Sequence, residues 1–289
     1  MPSWFGGTGN WNDANDWNPA GVPKPGSEAT IGQGTVDVTW RDIADVTVGL
    51  GGIGPHPPVL ALDNAIIGNV NLISGAPVPD AGGIQTIDVA GFVAMTGTIA
   101  PLLVDQDNLT VNLAAGSLLL NTGTISTAGA GTSAGVDMTG GKALFINQGL
   151  VEIYQGGAKI DPAVLGLGTF ELVGQTQVPI GANVEFGGLV GPGQVVDFAG
   201  PPLSGATPGL RLDDPRLFAA TIQGFGAGDT IELAGTTGTS DQFAHQVLTV
   251  YDGNQPVARL HFAGSYNTGD FALAQSGGTT FITAAAHSG

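Results

Sequence analysis

The sequence predicts an all-β protein: a right-handed parallel β-solenoid with an N-terminal cap and a C-terminal β-unit. Three observations carry this. Gly and Pro supply 49 and 18 of the 289 residues, so the chain turns often, while 42% of it is hydrophobic, enough to bury a core. No ten-residue stretch free of Gly and Pro has apolar residues at helical spacing. Short β-rich runs bounded by Gly, Asn, Asp or Pro recur instead. Finally, "LLLNTGTI" (118–125) matches "LFINQGLV" (144–151) at an offset of 26 residues, and "GLVEI" (149–153) matches "GTFEL" (168–172) at an offset of 19. One coil of short strands cannot bury its inner face alone, so coils stack and share a core while their corner lengths vary. A β-sandwich is the competing architecture.

Residues 1–60 form the expected cap and first strands. Three of the four tryptophans, Trp4, Trp11 and Trp17, fall in "SWFGGTGNWNDANDWNPAGVP" beside Phe5. Tryptophan carries the largest burial payload of any side chain, and a first coil has no neighbour below it. These four residues therefore read as a plug for the open end or as a contact with another copy, with sugar stacking as a third use. The strands "GTVDVTW" (34–40) and "ADVTVG" (44–49) follow.

Residues 61–209 hold the coils. Strands are expected at 69–74, 85–91, 109–121, 143–154, 168–174, 182–188 and 194–200. Asn121 and Asn147 occupy the same place in the repeat, where one amide can bond the next up the stack. From residue 210 the texture changes. "VLTVYDGNQPVARLHFAG" (247–264) reads as a β-hairpin turning at "DGNQP", part of a terminal unit that covers the last coil.

Charge excludes several functions. Only 11% of residues are charged, and 24 acids against seven bases give a net charge of −17. Phosphate recognition needs a basic patch, so nucleic acid and anionic membranes are not expected as partners. The longest apolar runs are too short for a membrane span. With no cysteine, burial and hydrogen bonding alone must hold the fold. The opening "MPSWFGGTGN" lacks the basic and apolar regions of a secretory signal, so any export address is expected elsewhere in the chain or to have been removed.

No constellation for catalysis stands out. Lys24, Arg41, Lys142, Lys159, Arg211, Arg216 and Arg259 are scattered, and His56, His245, His261 and His287 lack metal-ligand spacing. The one dense cluster, Arg211, Asp213, Asp214 and Arg216, reads first as a corner held by local ion pairs. Asp213, Asp214 and Asp229 are the candidate calcium ligands, although Asp229 in "GFGAGDT" suits a turn equally well. Glu152 and Glu171 align in the repeat and repel if stacked, unless a cation intervenes.

Residues 6–32, "GGTGNWNDANDWNPAGVPKPGSEATIG", resemble the Trp/Asn-rich opening of bacterial surface and autotransporter-like β-helix proteins. "IQGFGAGDTIELAG" (222–235), "LTVYDGNQPVARLHFAGSY" (248–266) and "FALAQSGGTTFIT" (271–283) are similar to the C-terminal module of secreted adhesin-like proteins. The resemblance implies an exported, surface-attached, often calcium-associated protein whose secretion address is C-terminal. The calcium nonapeptide G-G-x-G-x-D-x-U-x is absent.

Together these features predict an extracellular, non-enzymatic structural protein that self-associates into filaments or a biofilm matrix layer, with solenoid ends as natural joints. A module binding surface glycans and a carbohydrate-active β-helix enzyme are the alternatives.

Overall fold

The computed structural model describes residues 2–4, 7–23, 28–31, 35–39, 42–49, 59–73, 85–95, 98–103, 109–127, 135–154, 157–173, 182–199 and 208–285. Phe5, Lys24, Arg41, His56 and His287 lie outside them.

Three ladders of parallel strands run up the molecule, so each coil has three sides. Face A stacks Thr8–Asn10, Thr35–Thr39, the start of Val59–Ile73, the start of Gln85–Met95, Leu109–Leu113, Val136–Thr139, Ala158–Ile160, Asn183–Phe186, Gly209–Leu212 and Thr230–Leu233. Face B stacks the end of Gln85–Met95, Leu118–Asn121, Leu144–Asn147 and Ala163–Leu165, and continues through bridges at Val190 and Phe218. In its upper part, face C stacks Thr98–Leu103, Thr124–Ser126, Leu150–Ile153, Thr169–Val173, Val195–Ala199 and Thr221–Gln223. This is the expected parallel β-solenoid; a sandwich does not form.

The two sequence repeats are the structural register. Leu118 pairs with Leu144, Asn121 with Asn147, Ile125 with Val151, and Glu152 with Glu171. Side chains alternate along each strand, so every second residue enters the core. Phe170 and Leu172 are fully buried, as are Phe145, Val164 and Val196 on neighbouring strands. Phe145, Phe170 and Phe186 pack edge to face at 6.4 and 5.0 Å, and Phe218 continues the series 6.0 Å from Phe186.

The corner between faces B and C is held by amides. Asn121 and Asn147 have no exposed surface. The Asn121 amide donates to the Asn147 Oδ1 at 2.9 Å, and the Asn147 amide donates to the Gln194 Oε1 at 3.1 Å. Each Asn Oδ1 also accepts the backbone N–H of its own corner glycine, Gly123 or Gly149. The intervening coil, "AVLGLGTFEL" (163–172), carries no amide here. Gly168 leaves the space: a Cβ there would sit 2.5 Å from the Asn147 amide nitrogen. Gln194, one methylene longer than Asn, reaches past it and donates to the Asn147 and Leu165 carbonyls at 2.9 and 3.0 Å. Buried polar groups are costly unless paired, so this continuity stabilises the corner.

The C-terminal segment is joined to the coil. Thr279–Ala284 pairs antiparallel with Thr230–Leu233, and the end of Gln255–Phe262 pairs parallel with Thr221–Gln223. The hairpin of Val247–Asp252 and Gln255–Phe262 turns more tightly than expected, at Gly253 and Asn254, with Gly253 at φ 59°. A third strand, Ser240–Ala244, joins it through His245 and Gln246 at φ 51° and 64°, the backbone of a tight hairpin turn. His261 lies in this hairpin with an exposed side chain.

Candidate functional site: three faces and two ends

At the N-terminal end, Trp4 pairs antiparallel with Trp17 and parallel with Ile31. The three indoles form a buried cluster: Trp17 meets Trp4 at 5.2 Å and Trp11 at 4.7 Å, both edge to face. Trp17 donates from its indole nitrogen to the Trp11 carbonyl at 2.9 Å, and Trp4 donates to that of Gly7 at 3.3 Å. No more than 3% of any of the three is exposed, so their rings offer no open stacking surface. Asp13 caps the short 3-10 turn Ala14–Asp16 that brings Trp17 back over Trp4. At the other end, Phe225, Phe243, Phe262, Tyr266 and Phe271 pack on one another, and the Tyr266 hydroxyl donates to the Phe225 carbonyl at 2.8 Å.

Face A presents an in-register row, Asp137, Lys159, Glu185, Arg211 and Glu232. Its charges alternate from Asp137 to Glu232. Lys159 lies 3.5 Å from Glu185 and 3.8 Å from Asp161, and Arg211 lies 3.5 Å from Glu185 and 3.2 Å from Asp213, with Glu232 on its other side. Asp161 and then Glu185 push the Lys159 ammonium above its usual range. Beside the row runs a trough of about 670 Å³, lined in part by Gly135, Gly157 and Gly209, whose missing side chains leave it open.

Face C carries the opposite pattern. Glu152, Glu171 and Asp197 stack one above another, ending on Gln223, whose amide donates to Asp197 at 2.7 Å. Partial burial, then Glu152 and Asp197, raise the Glu171 carboxyl above the usual range. Burial, followed by Glu152 and Glu171, does the same to the Tyr154 phenol.

Face B is apolar outside as well as inside. Leu118, Leu144 and Ala163 form one outward row, continued by Leu189 and Leu217 flanking the bridges at Val190 and Phe218. Leu120, Ile146 and Leu165 form a second. Leu165, Leu189 and Leu217 are 39–41% exposed, and Leu167 beside them is 78% exposed. Sequence reading missed this surface. Its signal was present: Leu118, Leu120, Leu144 and Ile146 stand at positions where a half-solvated strand carries polar residues.

The three candidate calcium ligands are separated by their partners. Asp213 faces Arg211; Asp214 binds Arg216 through two contacts of 2.8 Å, which lower its carboxyl below the usual range. Asp229 is 1% exposed and closes its own turn, accepting the Gly226 N–H at 2.7 Å, while its other oxygen has no partner. Burial pushes it up to about 6. Among the described residues no group of three or more His, Asp or Glu side chains is arranged to hold a metal ion, and no helix is long and apolar enough to cross a membrane.

These features define a class: a three-sided β-solenoid with aromatic clusters at both ends and one apolar, one acidic and one charge-alternating face. No protein-family model matches the chain, and no curated protein matches its sequence.

Proposed function

We propose that this is an extracellular structural protein without catalytic activity that self-associates, into filaments or a surface or biofilm matrix layer. The observation that carries the reading is the exposed aliphatic surface of face B, with Leu165, Leu167, Leu189 and Leu217 open to solvent. Contiguous apolar surface of this kind marks interaction sites in soluble proteins. The low charge content adds support, because a surface with few ions costs little to desolvate. The resemblance of both termini to exported surface proteins supports the location. Light scattering and negative-stain microscopy over a concentration series test the proposal. Ordered assemblies or reversible oligomers are expected; monomers at every concentration overturn it.

A second reading, a glycan-binding module, is favoured by one feature. The face A trough, about 670 Å³ and lined by Asn183, Glu185 and Arg211, offers hydrogen-bond donors and acceptors to a short saccharide. Glycan-array binding that disappears in Arg211→Ala would select it.

A further inference from the structure

We infer that face B is the contact between two copies of this chain, packed side by side rather than end on end. The inference rests on the self-association reading and specifies the surface of a paired unit; a closed pair does not by itself extend into a filament.

The C-terminal end does not offer a simple stacking edge. The outer edge of Thr230–Leu233 on face A is taken by Thr279–Ala284 in antiparallel pairing, and that of Thr221–Gln223 on face C by the strand ending at Phe262. A new coil continuing either ladder at this end would have to displace a strand already paired there.

Charge then selects among the faces. A copy at −17 repels another wherever carboxylates meet. Face C against itself apposes Glu152, Glu171 and Asp197 with their like. Face A has its cations neutralised within its own row. Within the face B patch the strands Leu118–Asn121, Leu144–Asn147 and Ala163–Leu165 contain no ionised group, and the exposed charges beside it, Lys142 and Arg216, lie at its edge.

Shape and size agree. Strands about 4.8 Å apart make a flat ridged sheet roughly 25 Å tall and 12 Å wide, about 300 Å² per copy. An isologous pair uses this one patch twice and needs no second complementary surface. Burying roughly 600 Å² in total lies below the 1,200 Å² of ordinary stable complexes, so the pair is weak and concentration-dependent, with Leu167 extending the contact at its edge.

The test uses the full chain, which has no cysteine of its own. Leu165 stands at mid-height of the patch, so in a pair it lies near its counterpart in the other copy. Leu165→Cys is expected to form a disulfide-linked dimer under mild oxidation, whereas Asp252→Cys, in the exposed C-terminal hairpin, is not. In sedimentation, Leu165→Asp with Leu189→Asp is expected to weaken association at least about tenfold, since charge would be buried at the contact, with an unchanged thermal melt. If the wild type associates but neither variant behaves so, the face B contact is wrong and self-association survives. Wild type that is monomeric throughout overturns the self-association reading itself. Wild type that instead binds neutral phosphatidylcholine vesicles, with binding lost in the double Asp variant, overturns the inference in favour of a lipid surface.

Discussion

On face A, Lys159 and Arg211 alternate with Asp137, Glu185 and Glu232; on face C, the matching outward positions hold Glu152, Glu171 and Asp197. The two rows share one geometry, a residue every strand at about 4.8 Å. Stacking therefore sets the distance and sequence sets the sign. Alternation yields a chain of ion pairs, each half-exposed and worth about 1 kcal/mol or less. Like charges give the reverse: burial raises the Glu171 carboxyl most, and Glu152 and Asp197 raise it further. The solenoid tolerates a repulsive row because the buried residues beneath it, Phe170, Leu172, Val196 and Phe198, supply the larger energy.

That ranking can be broken from beneath. Phe170→Asp places an unpaired charge at a fully buried site on face C, and a loss of several kcal/mol is expected in urea melts. A melt unchanged from wild type would show that the shared core does not carry the two rows.

Burial and like-charge repulsion both raise Glu171, whereas Asp229 is raised by burial and opposed by its bond from Gly226. An acid raised in the folded state holds its proton there more tightly than in the unfolded chain. Its stabilising contribution is thus greatest below the unfolded value and is lost as pH rises through the folded one. For Asp229 the window runs from about 4 to about 6. Asp229→Asn should remove that slope, so that denaturant melts of the variant lose less stability between about pH 4 and pH 7 than those of wild type. Carbon-detected NMR titration sharpens the distinction: added salt should lower the Glu171 midpoint and leave that of Asp229 nearly fixed.

Reversing sign on each face gives smaller effects of opposite direction. Arg211→Glu leaves three acids in a row on face A and should destabilise by about 1–2 kcal/mol, partly recovered in salt. Glu171→Lys creates alternation on face C and should stabilise by about 0.5 kcal/mol. Equal effects of one sign in thermal melts would mean that the rows do not differ electrostatically.

Much of the coil was legible because stacking repeats chemistry. The 118–125 and 144–151 match gave the register directly, since the aligned residues stand opposite one another in the ladder at Leu118–Asn121 with Leu144–Asn147 and at Thr124 and Ile125 with Leu150 and Val151. What sequence could not give was contact across coils lacking the motif. Gln194 is found only by seeing Gly168 make way for it. The Ser240–Ala244 strand was hidden because its turn uses His245 and Gln246, neither of them a residue that signals positive φ. Face B was hidden because alternation reports which side is inside and assumes the other side is wet. The metal candidates Asp213 and Asp214 were grouped by sequence proximity, while the coil gives each its own arginine.

The amide corner has a consequence for how such a chain can change length. From face B to face C, Leu119 to Ile125, Phe145 to Val151, Val164 to Phe170 and Val190 to Val196 each span six residues. The other corners are free of this constraint. Face A to face B takes seven residues from Met138 to Phe145 but four from Ile160 to Val164. Through the four coils that carry or contact the amides, length therefore varies at the other corners while this one stays at six residues; beyond them the constraint lapses, and Phe218 to Ile222 spans four. The coil from Val164 to Phe170 keeps all six residues at this corner but has Gly166 where the coils below have Asn121 and Asn147, and Gln194 supplies the missing amide from the coil above.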